Sequence, residues 1–146
     1  NLRFNGNEKF TDKRLAKFLK KTKQKKFYRF WKPSKFIEED YDADLERLVE
    51  KYQEKGYRDA QVLRDSVSWN DDNTINLDIT VNEGRKYYFG DIEFLGNTVY
   101  SDTILKQFLG LGRGDVYNGK LLNERIKGDG TPTSQDITNY YLNNGY

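Results

Sequence analysis

The sequence predicts an α+β protein built as a tandem repeat, each unit running strand, helix, helix, strand, strand. Three observations predict it. A set of residue types recurs at a shift of about 90 along the chain. Within the first copy the apolar spacing changes from helical to alternating after Gly56. The composition suits two small cores: 36% hydrophobic and 33% charged, with 11 Tyr, 9 Phe and 2 Trp in 146 residues. Aromatic side chains bury much area each, which helps units that have few core positions.

The repeat is specific. Phe4-Asn5-Gly6-Asn7 returns as Phe94-Leu95-Gly96-Asn97, and Phe10-Thr11-Asp12 as Tyr100-Ser101-Asp102. Leu15, Phe18 and Leu19 become Leu105, Phe108 and Leu109; Tyr52, Gly56 and Tyr57 match Tyr141, Gly145 and Tyr146 one residue earlier. Internal repeats are decisive for architecture, because each copy is one supersecondary unit.

Each block reads as one element. Leu2 to Asn5 is a short strand, closed by the turn signal Gly6-Asn7. Thr11 is a candidate N-cap, with Asp12 where a helix dipole favours an acid. Leu15, Phe18 and Leu19 form an i, i+3, i+4 stripe. A second helix is expected from about Asp40 to Lys55, with Tyr41, Leu45, Leu48, Val49 and Tyr52 on one face and Gly56 as its left-handed stop. Beyond it Leu63, Val67 and Trp69 alternate with Arg64, Ser66 and Ser68. After the turn residues Asn70-Asp71-Asp72-Asn73, Ile75, Leu77, Ile79 and Val81 alternate with Asn76, Asp78, Thr80 and Asn82. Residues 1–85 are expected to be one complete unit. Residues 86–146 are expected to be a second that stops before its closing strands.

Composition excludes much chemistry. With no Cys and no His, thiol nucleophiles, imidazole bases, disulfides and most transition-metal sites fall away. The acids Glu38, Glu39, Asp40, Asp42 and Asp44 open a helix rather than a metal loop, and dipole complementarity accounts for them. Gly110-Leu111-Gly112-Arg113-Gly114 follows a helix and lacks the Lys-Ser/Thr ending of a phosphate loop. No catalytic constellation, metal site or cofactor is expected. No apolar run approaches a membrane span.

The ordered set of Phe4-Asn5-Gly6-Asn7, Glu54-Lys55-Gly56-Tyr57, Val81-Asn82-Glu83-Gly84 and Phe94-Leu95-Gly96-Asn97 resembles the POTRA (polypeptide-transport-associated) domains of BamA-type outer membrane protein assembly factors. The resemblance covers essentially the whole chain. The long stretch between the first unit's helices looks like the enlarged third unit of such arms, and Gly114 to Gly119 like the start of the fourth. Gly128-Asp129-Gly130-Thr131-Pro132 departs from the pattern by interrupting a helix expected to be long. The resemblance implies that each unit is a three-stranded mixed sheet with two helices packed on one face. It further implies a periplasmic, non-catalytic arm below a C-terminal membrane β-barrel, binding unfolded outer-membrane β-barrel proteins and accessory assembly lipoproteins. A related secretion or translocation transporter arm is the alternative within the class.

In POTRA-like sheets the hairpin's first strand lies at the edge. The candidate client-binding residues are therefore Val62, Leu63, Arg64, Asp65, Ser66, Val67, Ser68 and Trp69, whose backbone could add a strand from any client. For the side chains, core filling by Leu63, Val67 and Trp69 is the expected role; for the backbone, protection by solvent and Arg64 ranks equal with strand addition. Between Lys13 and Lys35 there are 11 Lys or Arg and no acid, whereas Glu38 to Glu54 holds eight acids. Within the basic run Lys25, Lys26, Phe27, Tyr28, Arg29, Phe30 and Trp31 form a possible docking loop. A solvated connection with anchored aromatics is preferred there, partner docking comes second, and nucleic-acid binding, the alternative from another class, comes last. Glu83, Gly84, Arg85 and Lys86 form the expected joint between units, a restricted hinge rather than a loose tether.

Overall fold

The computed structural model describes residues 1–22, 38–71, 74–131 and 133–146. By its contacts the chain divides into two compact units, Asn1–Tyr52 with Asp59–Arg85, and Gln53–Arg58 with Lys86–Tyr146. The turn after the first unit's long helix is thus counted with the second unit.

In the first unit β1 (Leu2–Asn5), α1 (Asp12–Phe18), α2 (Glu38–Gln53), β2 (Gln61–Trp69) and β3 (Ile75–Asn82) follow in the expected order. The strands form a mixed sheet ordered β1-β3-β2, with β1 parallel and β2 antiparallel to the central β3. The central strand alternates, burying Leu77, Ile79 and Val81, and Phe4 of β1 stands beside Ile79 on the same face. Leu15, Leu19, Tyr41, Leu48 and Tyr52 from the helical segments complete the core. Phe10 and Tyr52 meet edge to face, with ring centroids 5.0 Å apart.

Two buried carboxylates organise this unit. Asp44 is fully buried on the apolar face of α2, where it accepts from the backbone N–H groups of Lys20 (2.9 Å), Lys21 (2.8 Å) and Thr22 (2.6 Å). It thereby ties the chain leaving α1 to α2. Burial pushes its carboxyl up, but those N–H donors outweigh burial and hold it below the ordinary Asp value of 3.8. Glu83, just past β3, accepts from Glu8 N (3.0 Å) and Lys9 N (2.9 Å), and from the Tyr52 hydroxyl (2.8 Å). Three distant segments therefore converge on one side chain.

The turn after β1 explains the repeat's Gly-Asn. Gly6 has φ 81°, and a Cβ there would collide with the Val81 carbonyl. Asn7 Nδ2 donates to Phe10 O (2.9 Å) and to Asp12 Oδ1 (2.8 Å). Thr11 stands at the N-cap of α1, yet its hydroxyl makes no cap bond, and Ser101 behaves the same way in the second unit. The Asn–Asp pair, not the hydroxyl, orients the helix start.

The second unit contains α3 (Asp102–Leu109), α4 (Gly119–Lys127) and α5 (Ile137–Asn143). Asn97 repeats Asn7, donating to Tyr100 O (2.9 Å) and Asp102 Oδ1 (2.7 Å), and Leu105 and Leu109 are buried like Leu15 and Leu19. A β-bridge joins Tyr88 to Val116, and Tyr87 N donates to Gly56 O (2.8 Å). The Gly-rich departure does split the second helix: α4 ends at Lys127 and α5 starts behind its own cap, where Asp136 accepts from Asn139 N (2.8 Å). Asn139 Nδ2 also donates to Thr131 O (2.8 Å), closing the intervening loop.

Residues 92–95, the counterpart of β1, are not a strand. The reason is physical: β1 is a strand because β3 supplies its ladder, and among the described residues no strand offers one to 92–95.

Asp44→Ala should destabilise the first unit by about 2–3 kcal/mol, since it strands buried N–H donors that a charged acceptor had satisfied. Urea unfolding followed by tryptophan fluorescence would measure this. Because folding lowers the Asp44 pKa, its contribution is present above 3.8 and is lost as pH falls through the folded value. The wild-type minus Asp44→Asn stability difference should therefore shrink on acidification. A difference that stayed constant to low pH would refute this assignment.

Candidate functional site

The sheet has two edge strands, β1 and β2, and β2 is the longer, nine residues against four. Its inner edge is bonded to β3 from Gln61↔Asn82 to Trp69↔Ile75, and among the described residues no strand pairs with its outer edge. The outward-pointing half of the N–H and C=O groups of this nine-residue strand thus lies along one side of the unit. Backbone groups of an edge strand are a template for another chain, whatever its sequence.

The side chains differ from the sequence expectation. The register shifts between Val62 and Arg64, so a bulge interrupts the ladder at Leu63. On the inward face the bulge leaves Val62, Asp65, Val67 and Trp69, opposite Val81, Ile79, Leu77 and Ile75. Leu63 is removed from the core row and is 59% exposed. One extra residue reverses the face of everything on one side of it, which is why a strict period of two misplaces Leu63. Trp69 keeps its expected face but is 68% exposed at the strand's end. The core-filling role expected of these side chains therefore fails for Leu63 and Trp69, and only Val67 partly keeps it.

Asp65 is a carboxylate on the inward face of an edge strand, and it acts on Tyr41 of α2. Burial first, then the negative charge of Asp65, push the Tyr41 phenol well above its ordinary value of 10.0. A charge on this face of an edge strand discourages uncontrolled edge pairing.

The remaining candidates divide. The possible docking loop of Lys25, Lys26, Phe27, Tyr28, Arg29, Phe30 and Trp31 lies outside the described residues, as do Asp72 and Asn73 of the hairpin turn. Of the joint residues, Glu83 is buried and carries the hydrogen bonds given above, and Gly84 has φ 66° with its N–H on Asn82 Oδ1 (3.1 Å). Arg85 and Lys86 are exposed. Sequence reasoning read Asp44 as dipole complement and Glu83 as linker. The signal for Asp44 was its place on the apolar stripe of α2. Among the described residues no group of His, Cys, Asp or Glu could hold a metal ion, and no helix is long and apolar enough to cross a membrane.

Two such units, each opening with the same Gly-Asn turn, can be set beside known proteins. The family model described as POTRA, surface antigen variable number repeat, matches residues 1–84 and again residues 87–146. The chain belongs to the POTRA family. A candidate outer membrane protein assembly factor of Treponema pallidum (strain Nichols) is 29% identical over 150 aligned residues, which take in 99% of this chain and 16% of that protein. BamA, the outer membrane protein assembly factor of Neisseria meningitidis serogroup B (strain ATCC BAA-335 / MC58), is 28% identical over 98 residues, 66% of this chain and 12% of that protein. The crystal structure of Haemophilus influenzae BamA POTRA3-5 matches with TM-score 0.59 and 25% identity, covering 84% of this chain and 48% of that one. These POTRA units are thus of the BamA type, and the chain spans about a sixth or less of the length of the two full-length relatives.

Since Leu63 and Trp69 sit in solvent, Leu63→Ser and Trp69→Thr should each change stability by no more than about 0.5 kcal/mol. Ile79→Ala, in the fully buried row of β3, should cost about 2–5 kcal/mol. Chemical denaturation of the three variants, followed by far-UV circular dichroism, would check the contrast. A Trp69 cost near that of Ile79 would contradict the exposed edge.

Proposed function

We propose that this POTRA pair belongs to the periplasmic arm of an outer membrane protein assembly factor, and that the β2 edge receives strands of unfolded β-barrel proteins. The observation that supports this most is the outer edge of Gln61–Trp69, with Trp69 and Leu63 beside it. Backbone hydrogen bonds supply affinity that is indifferent to client sequence, and the exposed apolar side chains add contact area without a fixed pocket. The names of the relatives favour assembly over the related secretion or translocation role.

In this reading the arm is non-catalytic and needs neither metal nor cofactor. Accessory assembly lipoproteins would use the same edge or the loop around Phe27 to Trp31, and a C-terminal membrane β-barrel would carry the arm. Nucleic acid is not a partner in this reading: the acids that open α2 follow the basic run too closely for a continuous phosphate track.

An NMR titration of the chain with peptides from outer-membrane barrel strands tests this. Amide shifts should concentrate in residues 62–69 and be similar for unrelated barrel peptides, with binding only weakly dependent on salt. Shifts elsewhere, or none, would refute strand addition at β2. A steep fall of polyanion binding with salt would instead favour a nucleic-acid role.

A further inference from the structure

The cross-strand register sorts the side chains of the first unit's sheet into rows. One row runs Leu2, Leu77, Val67 and another Phe4, Ile79, Asp65, both on the face that carries the core. On the opposite face the rows are Arg3, Asp78, Ser66 and Asn5, Thr80, Arg64. Each row ends on β2, and the next place in it belongs to any strand added at the outer edge.

Charge is unevenly distributed over these rows. Arg3 and Asp78 stand side by side as a complementary couple. Arg64 and Asp65 have no such neighbour, since the β3 residues beside them are Thr80 and Ile79. Both are exposed, and among the described residues neither takes part in an ion pair. The Tyr41 phenol is within reach of the Asp65 charge but stays neutral, which leaves that charge unbalanced. Being consecutive on a strand, Arg64 and Asp65 lie on opposite faces and do not pair with each other. Two opposite charges thus end neighbouring rows at the open edge, directly after the bulge at Leu63.

We propose that Arg64 and Asp65 fix the register of a β-barrel strand added at this edge, taking an acid beside Arg64 and a base beside Asp65. The inference rests on strand addition at β2 and names the strand that fits. Backbone hydrogen bonds alone leave an added strand free to slip by two residues, because its faces then stay the same. Two opposite charges in consecutive positions admit one register. In an antiparallel ladder, the slightly more stable kind, the occupant places apolar residues beside Trp69 and Val67 and polar ones beside Ser68 and Ser66. It then places a base and an acid, in that order, beside Asp65 and Arg64. Barrel strands alternate apolar and polar in this way, and a base in their lipid-facing row is tolerated near the water interface. The segment that fits is therefore the end of a barrel strand, where the lipid-facing row leaves the hydrocarbon. Affinity comes mainly from the backbone, so unrelated barrel strands still bind. The charges decide where along the edge they sit.

The test titrates the 146-residue chain with the blocked peptides Val-Thr-Val-Thr-Lys-Glu and Val-Thr-Val-Thr-Glu-Lys at low salt, following backbone amides by NMR. The first should bind about three- to tenfold more tightly, since it makes two complementary cross-strand pairs where the second makes two like-charged ones. A nitroxide on its N-terminal residue should broaden the Trp69 amide most. In the double variant Arg64→Asp, Asp65→Arg the preference should reverse, and in Arg64→Gln, Asp65→Asn it should vanish. Both side chains are exposed, so neither variant should change the circular dichroism spectrum. Equal affinity of the two peptides for the wild-type chain, with shifts in residues 62–69, would overturn the register rule and leave strand addition standing. A preference that persisted in the Arg64→Gln, Asp65→Asn variant would overturn it as well. Shifts elsewhere, or none at millimolar peptide, would overturn the rule and strand addition together.

Discussion

The first unit depends on one carboxylate. Glu83 follows the last residue of β3, and without it the sheet and the helices would be joined at that end only by apolar contact. A buried charge is costly unless it is hydrogen-bonded. Here two backbone N–H groups from the turn after β1 and the phenol of Tyr52 from α2 supply the bonds. Apolar packing between a small sheet and two helices tolerates sliding. A carboxylate with fixed donors does not, so the Glu83 contacts set the distance between strand, turn and helix, and with it the close approach of Gly6 to Val81. Asp44 does the same two turns earlier on the buried face of α2, where it gathers the chain leaving α1. A unit with a small aromatic core thus gains its definition from two polar anchors.

What was legible in the sequence follows from how each feature is encoded. The element order was legible because apolar spacing reports directly on the buried face, as at Leu15 and Leu19 or Leu77, Ile79 and Val81. The Gly-Asn turn was legible because its φ admits few residue types, and because it occurs twice. The position of β2 at the sheet edge came from family resemblance and agrees with the strand order. Other features were hidden. The bulge at Leu63 depends on pairing with β3, and alternation along one strand contains no trace of its partner's register. Asp44 and Glu83 each had a local explanation, one as a helix-start acid and the other as linker, and their real donors lie more than twenty residues away. Thr11 and Ser101 hold cap positions by type, but Asn7 and Asn97 had already fixed the helix starts. The pattern of 92–95 is that of a strand, yet a strand is a property of a pair.

Polar anchoring inside and an open edge outside are two sides of one design. A sheet of three strands has a large proportion of edge, and nature usually guards such edges. In this unit the guard is partial: Asp65 lies on the face of β2 opposite Ile79 and a bulge interrupts the ladder, but among the described residues no strand covers the outer backbone of β2. The buried side chains and polar anchors lie around β1, β3 and α2 rather than on β2.

The bulge at Leu63 has a mechanical meaning for anything that lies along β2. Side-chain alternation before it and after it is out of phase by one residue. A strand laid along the whole edge could match its inward and outward faces to one segment only, and would meet the other with its pattern inverted. Only the stretch from Arg64 to Trp69 offers an unbroken phase. On the proposed reading such an edge would grip a short length and decline a long one, a clutch that slips rather than a clasp that locks.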